Sequence, residues 1–164
     1  MAKKVVSKMD IPVWIAADWG TSNLRLWGVG EDGETLFALT SEKGMGRIGP
    51  ADYPDVLAGL LAGRLPDDGT RLPLIVCGMA GAREGWREAP YLSLPARLDA
   101  LGAHAARPLL SGDGIEAHIL PGLSATAAGH EDVMRGEETQ LLGLLAMEPG
   151  FKGPVCLPGT HSKW

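Results

Sequence analysis

The residues Asp18-Trp19-Gly20-Thr21-Ser22-Asn23-Leu24-Arg25 bring together one acid, three small polar side chains, a glycine and an arginine. Phosphoryl transfer uses such a set. Backbone N–H groups of a glycine turn approach phosphate oxygens, Thr21, Ser22 and Asn23 donate hydrogen bonds, and Asp18 can hold Mg²⁺ directly or through water. Arg25 can neutralise charge on the transferred group. A D-x-G-T tetrapeptide on its own is more simply an ordinary hairpin with a polar tip, and its surroundings count against that reading. Asp18 ends an apolar run, Arg25 lies in the next one, and a second Gly-Thr pair, Gly159-Thr160, follows a further apolar run. Two such turns can close on a triphosphate from both sides.

Positioning these groups takes strands. Residues 11–19 suit a buried strand that delivers Asp18 to its C-terminal end, and residues 24–29 suit the next strand, with Gly20 to Asn23 as the turn between them. A second turn at Gly30-Glu31-Asp32-Gly33 leads into Thr35 to Thr40, which completes a three-stranded antiparallel meander. Val56, Leu57, Leu60, Leu61 and Leu65 recur at helical spacing behind a start signal at Asp52 or Pro54-Asp55, and Leu72 to Cys77 reads as a buried, parallel strand. Residues 78–90 read as a loop, 96–106 as a helix and Ile115 to Leu120 as a strand. Glu137 to Met147 reads as a helix burying Leu141, Leu142, Leu144 and Leu145, stopped by Pro149-Gly150. Pro154 to Leu157 reads as a last strand. The fold class is mixed α/β.

Composition narrows the function classes. The chain has 164 residues, 45% of them hydrophobic, enough for one domain with a core. A formal charge of −5 gives no general attraction to nucleic acid or anionic membrane. Cys77 and Cys156 sit in apolar runs without metal-ligand spacing and read as buried free thiols. Residues 1–10 carry Lys3, Lys4 and Lys8 and read as a flexible tail, since the apolar stretch after them is too short for a signal or membrane segment. A cytoplasmic protein is expected.

DWGTSNLRLW resembles the first phosphate motif of the actin, Hsp70 and sugar-kinase superfamily, and LPGTHSKW resembles its second. MRGEETQLLG, Met134 to Gly143, resembles the Gly-acid segment that precedes the second motif in its carbohydrate kinases. With CGMAGAREGW and APYLSLPA, the set is similar to the 2-dehydro-3-deoxygalactonokinase family, from about Trp14 to Trp164. The resemblance implies an actin-like ATPase (ribonuclease H-like) N-terminal lobe over 11–150, and the start of a truncated second lobe over 151–164. It also implies transfer of the ATP γ-phosphate, with Mg²⁺, to the 6-hydroxyl of 2-dehydro-3-deoxy-D-galactonate. Adenosine contacts in the superfamily come mostly from the second lobe, so this chain alone is expected to bind ATP weakly or not at all and to be inactive. Apolar faces that would meet that lobe, if exposed, favour a homodimer.

Carried over from related sugar kinases, Gly136-Glu137 falls where a glycine and a general-base Asp stand. The extra methylene of Glu leaves open whether Glu137 or Glu138 points at the substrate. A carboxylate at a helix N-terminus stays ionised beside the macrodipole and can accept a hydroxyl proton; a capping acid is the plainer alternative. A sugar acid also calls for a cation, for which Arg83, Arg87, Arg135 and Lys43 are candidates, each alternatively a solvated surface charge. Trp86 and Tyr91 can stack on substrate or sit half-buried. His161 can touch phosphate or be structural, and His104, His118 and His130 show no metal or triad spacing. A kinase for another sugar acid, or a non-catalytic actin-like domain for nucleotide sensing or protein association, are the alternative functions.

Overall fold

The computed structural model describes residues 11–110, 114–127, 130–159 and 162–164. The tail expected over 1–10, and Thr160 and His161, lie outside them. Strands β1 (Trp14–Trp19), β2 (Leu24–Val29) and β3 (Thr35–Ser41) form the expected antiparallel meander. Helix α1 (Tyr53–Leu61) leads to β4 (Leu72–Gly78), which pairs in parallel with β1. After β5 (Leu92–Ser93), strand β6 (Ile115–Ile119) adds in parallel to β4, giving a mixed sheet in the order β3-β2-β1-β4-β6.

The alternation of side chains along a strand decides what each face of this sheet does. Ile15, Ala17 and Trp19 of β1, with Leu24 and Leu26 of β2 and Leu72, Leu74 and Val76 of β4, are buried in one cluster with Tyr53, Val56, Leu57 and Leu61 of α1. Each such aliphatic burial contributes about 1.5–3 kcal/mol before entropy is charged. Asp18 is out of phase with this set and lies in register with Cys77 of β4, so both belong to the opposite face. That face carries a smaller cluster, in which Ile75 and Cys77 pack with Leu101, Leu120 and Leu123.

The second face is where expectation and structure part. A hairpin that the sequence did not announce, β7 (Leu123–Ala127) and β8 (His130–Met134), joins β5 in a three-stranded sheet. Its strands alternate too few large apolar residues to stand out. The segment expected as a helix over 96–106 is a 3-10 helix, Leu98–His104, and Met79–Gly81 forms a 3-10 turn within the expected loop. Residues 154–157 are not a strand: their one ladder contact among the described residues is the isolated bridge of Leu157 to Lys163. Cys156 is accordingly exposed rather than buried, and Cys77 is half-buried; both are free.

Helix α2 (Glu137–Met147) has the expected bounds but not the expected burial. Its fully buried residue is Glu138, whereas Leu145 and Met147 are exposed and Leu141, Leu142 and Leu144 only half-buried. The apolar side of α2 therefore packs incompletely among the described residues.

Candidate active site

Strand β1 ends by presenting Asp18 beside Arg25 of β2, its cross-strand partner, and the two form an ion pair of 2.9 Å between Oδ2 and Nη1. Arg25 is exposed and the Asp18 side chain is 36% exposed, so the pair organises charge at the sheet edge more than it stabilises the fold. The intervening turn closes with Gly20 N donating to the Asn23 carbonyl at 2.9 Å, and Thr21, Ser22 and Asn23 are exposed.

A strap from the loop after β3 holds this turn. Gly44 N, Met45 N and Gly46 N donate to the carbonyls of Ser22, Gly20 and Thr21 at 3.2, 3.0 and 2.9 Å. Trp19 Nε1 donates to the Lys43 carbonyl at 2.9 Å, anchoring the strap beside the core. The strap engages the carbonyl oxygens, the groups an anion would avoid, while the N–H groups of Thr21 and Ser22 donate to nothing among the described residues. The turn is thus biased towards anion binding. Close approach requires glycine: a Cβ on Gly44 would stand 2.3 Å from Ser22 C and 2.4 Å from Thr21 O.

Two more glycines bring α2 to Asp18. Gly78, at φ +91°, ends β4 so close to β1 that a Cβ there would lie 2.8 Å from Trp19 O and 3.5 Å from Asp18 Oδ1. Gly136, at φ +110°, precedes α2, and a Cβ on it would stand 3.4 Å from Gly78 Cα. Both conformations belong to the region that glycine alone enters readily. Helix α2 therefore begins against the end of β4.

The two acids at that start occupy different surroundings. Glu138 is fully buried, and both its oxygens accept from Gly136 N at 2.8 Å. Burial raises its pKa, opposed by the hydrogen bonds from its own and the Gly136 N–H, while the Glu137 charge adds to the rise. Glu137 is half-buried and accepts from Arg135 N through Oε2 at 2.8 Å. The Cys77 thiol is pushed up to about 12, chiefly by burial and then by the charges of Asp18 and Glu138. Strand β1, strand β4 and the start of α2 thus share one electrostatic environment.

Of the residues singled out by sequence, Asp18, Gly20 to Asn23, Arg25, Glu137 and Glu138 are brought to this end of the sheet. Lys43 is exposed beside the strap. Arg83 and Arg87 are exposed on the loop after β4 without an ion pair among the described residues. Arg135 is engaged internally: Nη2 donates to the Ala89 carbonyl at 2.9 Å, and the guanidinium lies over the Tyr91 ring at 4.2 Å. Trp86 is half-buried. It stacks on Tyr53 at 5.5 Å within the core. Gly159 is exposed, and Lys163, a few residues on, is paired with Asp132 of β8.

Sequence reasoning missed the strap and the two positive-φ glycines. The Gly44-x-Gly46 spacing and a glycine directly after an apolar strand were the available signals. Among the described residues no group of three or more His, Cys, Asp or Glu is arranged to hold a metal, and no helix is long and apolar enough to cross a membrane. A single carboxylate, Asp18, suits Mg²⁺ that arrives with phosphate and water ligands rather than a protein-built cage.

Comparison with known proteins places the chain among relatives. A protein of Rhizobium meliloti named "Probable 2-dehydro-3-deoxygalactonokinase" is 47% identical over 152 residues, which cover 92% of this chain and 48% of that protein. The 2-dehydro-3-deoxygalactonokinase of Escherichia coli is 37% identical over 151 residues, with the same coverage of 92% and 48%. A crystal structure from Sinorhizobium meliloti, named "a putative 2-dehydro-3-deoxygalactonokinase protein", superposes with a TM-score of 0.81 at 45% identity, covering 92% of this chain and 49% of that one. The chain thus spans about half the length of the relatives it matches. Residues 18–164, from the acid of the first turn onwards, match the family described as 2-keto-3-deoxy-galactonokinase, and the chain belongs to that family.

Proposed function

We propose that the protein carrying this chain phosphorylates 2-dehydro-3-deoxy-D-galactonate at its 6-hydroxyl at the expense of ATP. The observation that carries the reading is the convergence, through Gly78 and Gly136, of an acid-headed helix on the Asp18–Arg25 pair and the strapped turn. The names of the relatives supply the sugar acid. The strand order β3-β2-β1-β4-β6, with its antiparallel first half and parallel second half, supports an actin-like lobe over 11–150, with 151–164 opening a second.

Each residue then has a role. The N–H groups of Thr21 and Ser22, with the side chains of Thr21, Ser22 and Asn23, hold phosphate oxygens. Asp18 would hold a Mg²⁺ ion, which would supply charge neutralisation of the phosphates, and Arg25 would balance charge on the transferred group. Bound Mg²⁺-ATP supplies an activated phosphoryl group. Glu137, partly exposed and at the positive end of α2, orients the hydroxyl and takes its proton. Glu138, sealed from solvent and committed to Gly136 N–H, holds the turn from which Glu137 projects. Arg83, Arg87 and Lys43 are the exposed cations available to the sugar carboxylate. Gly159-Thr160 joins the clamp from the second lobe, where closure excludes water. A small-molecule kinase of this kind works in the cytoplasm.

The test is ADP release by the full-length protein with a panel of sugar acids. Turnover greatest with 2-dehydro-3-deoxy-D-galactonate is expected, and at least a hundredfold loss in Glu137→Gln with Glu138→Gln much less affected. No ADP release with any sugar acid defeats the reading, and preference for another acid redirects its substrate.

A further inference from the structure

Arg135 links two parts of the site by opposite ends of one residue. Its backbone N–H donates to Glu137 Oε2 at 2.8 Å, while its side chain donates from Nη2 to the Ala89 carbonyl at 2.9 Å. The guanidinium also covers Tyr91, whose ring is seated so closely on Gly122 that a Cβ there would stand 2.7 Å from it. Nη1 is buried without a hydrogen-bond partner among the described residues and faces Gly81, where a Cβ would be 2.8 Å away. A substrate carboxylate has no access to that nitrogen. The loop it grips is itself tied together, with Trp86 N on the Ala80 carbonyl at 2.9 Å and Ala89 N on the Gly81 carbonyl at 3.0 Å. Arg83 and Arg87 stand exposed on this same loop.

We propose that Arg135 is a positioning residue that fixes the Glu137 carboxylate to the loop of residues 79–91, so that the placing of the base depends on the loop that carries Arg83 and Arg87. The inference rests on the proposed kinase function for the role of Glu137, but the linkage itself does not. A sugar acid held by the loop is thereby held in register with the base, and an uncharged analogue is not. Misplacement of a reacting group by about 1 Å is enough to cost on the order of 10²-fold in rate.

The experiment compares Arg135→Met, Arg135→Lys and Gly81→Ala in the full-length protein, by steady-state kinetics and by amide hydrogen exchange over residues 134–140. Gly81→Ala keeps the guanidinium and crowds it at 2.8 Å, with Ile119 at 3.0 Å and Ala89 at 3.3 Å as further contacts, which separates position from charge once exchange in β6 is shown to stay at wild-type rates. Expected are a fall in kcat of about 10²-fold for Arg135→Met, partial recovery in Arg135→Lys and a loss in Gly81→Ala. In each variant the change in kcat should exceed the change in KM for the sugar acid. Exchange at 134–140 should quicken in the same order while exchange in β1 and β4 stays at wild-type rates. A KM rise larger than the kcat loss would make Arg135 a carboxylate reader and overturn the proposal, as would wild-type kinetics in Gly81→Ala. Absence of kinase activity in the wild type would count against the function alone; exchange then decides the linkage, and unaltered rates at 134–140 overturn it.

Discussion

Replacing Gly44 by alanine tests whether the strap shapes the turn from Gly20 to Asn23. Gly44 has φ −70° and ψ 168°, a conformation open to alanine, so on backbone entropy the change should stabilise by about 0.4–1 kcal/mol. The added Cβ, however, would stand 2.3 to 2.5 Å from Ser22 C, Thr21 O and Asn23 N, all backbone atoms of a closed turn. Restoring a contact of ~3.5 Å takes a displacement of roughly 1 Å. That stretches the hydrogen bonds from Gly44, Met45 and Gly46, now 2.9–3.2 Å, beyond bonding range. At about 0.5–1.5 kcal/mol each, their loss outweighs the entropy gain and leaves a net destabilisation of roughly 0.5–4 kcal/mol. Urea unfolding followed by tryptophan fluorescence reads this directly, because Trp19 is bonded to the strap at Lys43. Gly59→Ala is the control: it lies in α1 with nothing within 4 Å of the new Cβ and should gain about 0.5–1 kcal/mol. Nucleotide affinity of the full-length Gly44→Ala protein should fall as well. A Gly44→Ala protein as stable as the wild type, with unchanged affinity, would refute the strap.

Asp18→Asn and Arg25→Gln should each cost under about 1 kcal/mol in urea unfolding, since their ion pair is exposed, yet reduce kcat/KM by on the order of 10²-fold or more. Equal losses in stability and activity would mark the pair as structural. Glu138 gives a pH dependence: its carboxyl is raised above the usual 4.5 by burial, so the folded chain holds this proton to higher pH than the unfolded chain. Its contribution to stability falls as pH rises from about 4.5 through the folded value, and unfolding midpoints across pH 4.5 to 7 should be flatter in Glu138→Gln. Tyr53→Phe removes a buried hydroxyl without a hydrogen-bond partner among the described residues, whose pKa burial raises to about 12. It should be neutral or stabilising by up to about 1 kcal/mol in thermal unfolding, and a clear loss would reveal an unseen partner.

The parts of the fold legible in sequence are those where one physical signal dominates. The apolar run before Asp18, the Gly30 to Gly33 turn and the leucine spacing of residues 56–61 each identify an element, and the parallel placing of β4 follows from its unbroken apolar character. The bounds of α2 were also legible, but its burial was not, because hydropathy assigns Leu141 to Leu145 to the interior while the structure buries Glu138. The β7–β8 hairpin escaped because its polar residues mask a two-residue period. Residues 154–157 misled in the opposite sense: an apolar run is not by itself a strand, and here it forms only the isolated bridge from Leu157 to Lys163.

The candidate site was legible as chemistry and illegible as assembly, and one cause accounts for both. Asp18, Arg25 and Glu137 declare themselves by charge beside apolar runs. What joins them is backbone meeting backbone, at Gly44 on the turn, Gly78 on Trp19 and Gly136 on Gly78. Such contacts leave no trace in charge or hydropathy, only an absent side chain, and a glycine needed for approach looks like a glycine needed for a turn. It follows that the charged residues can be exchanged with little harm to the fold, whereas the glycines cannot. Variants at Gly44, Gly78 and Gly136 should lose stability and binding together, while variants at Asp18 and Arg25 should lose binding alone.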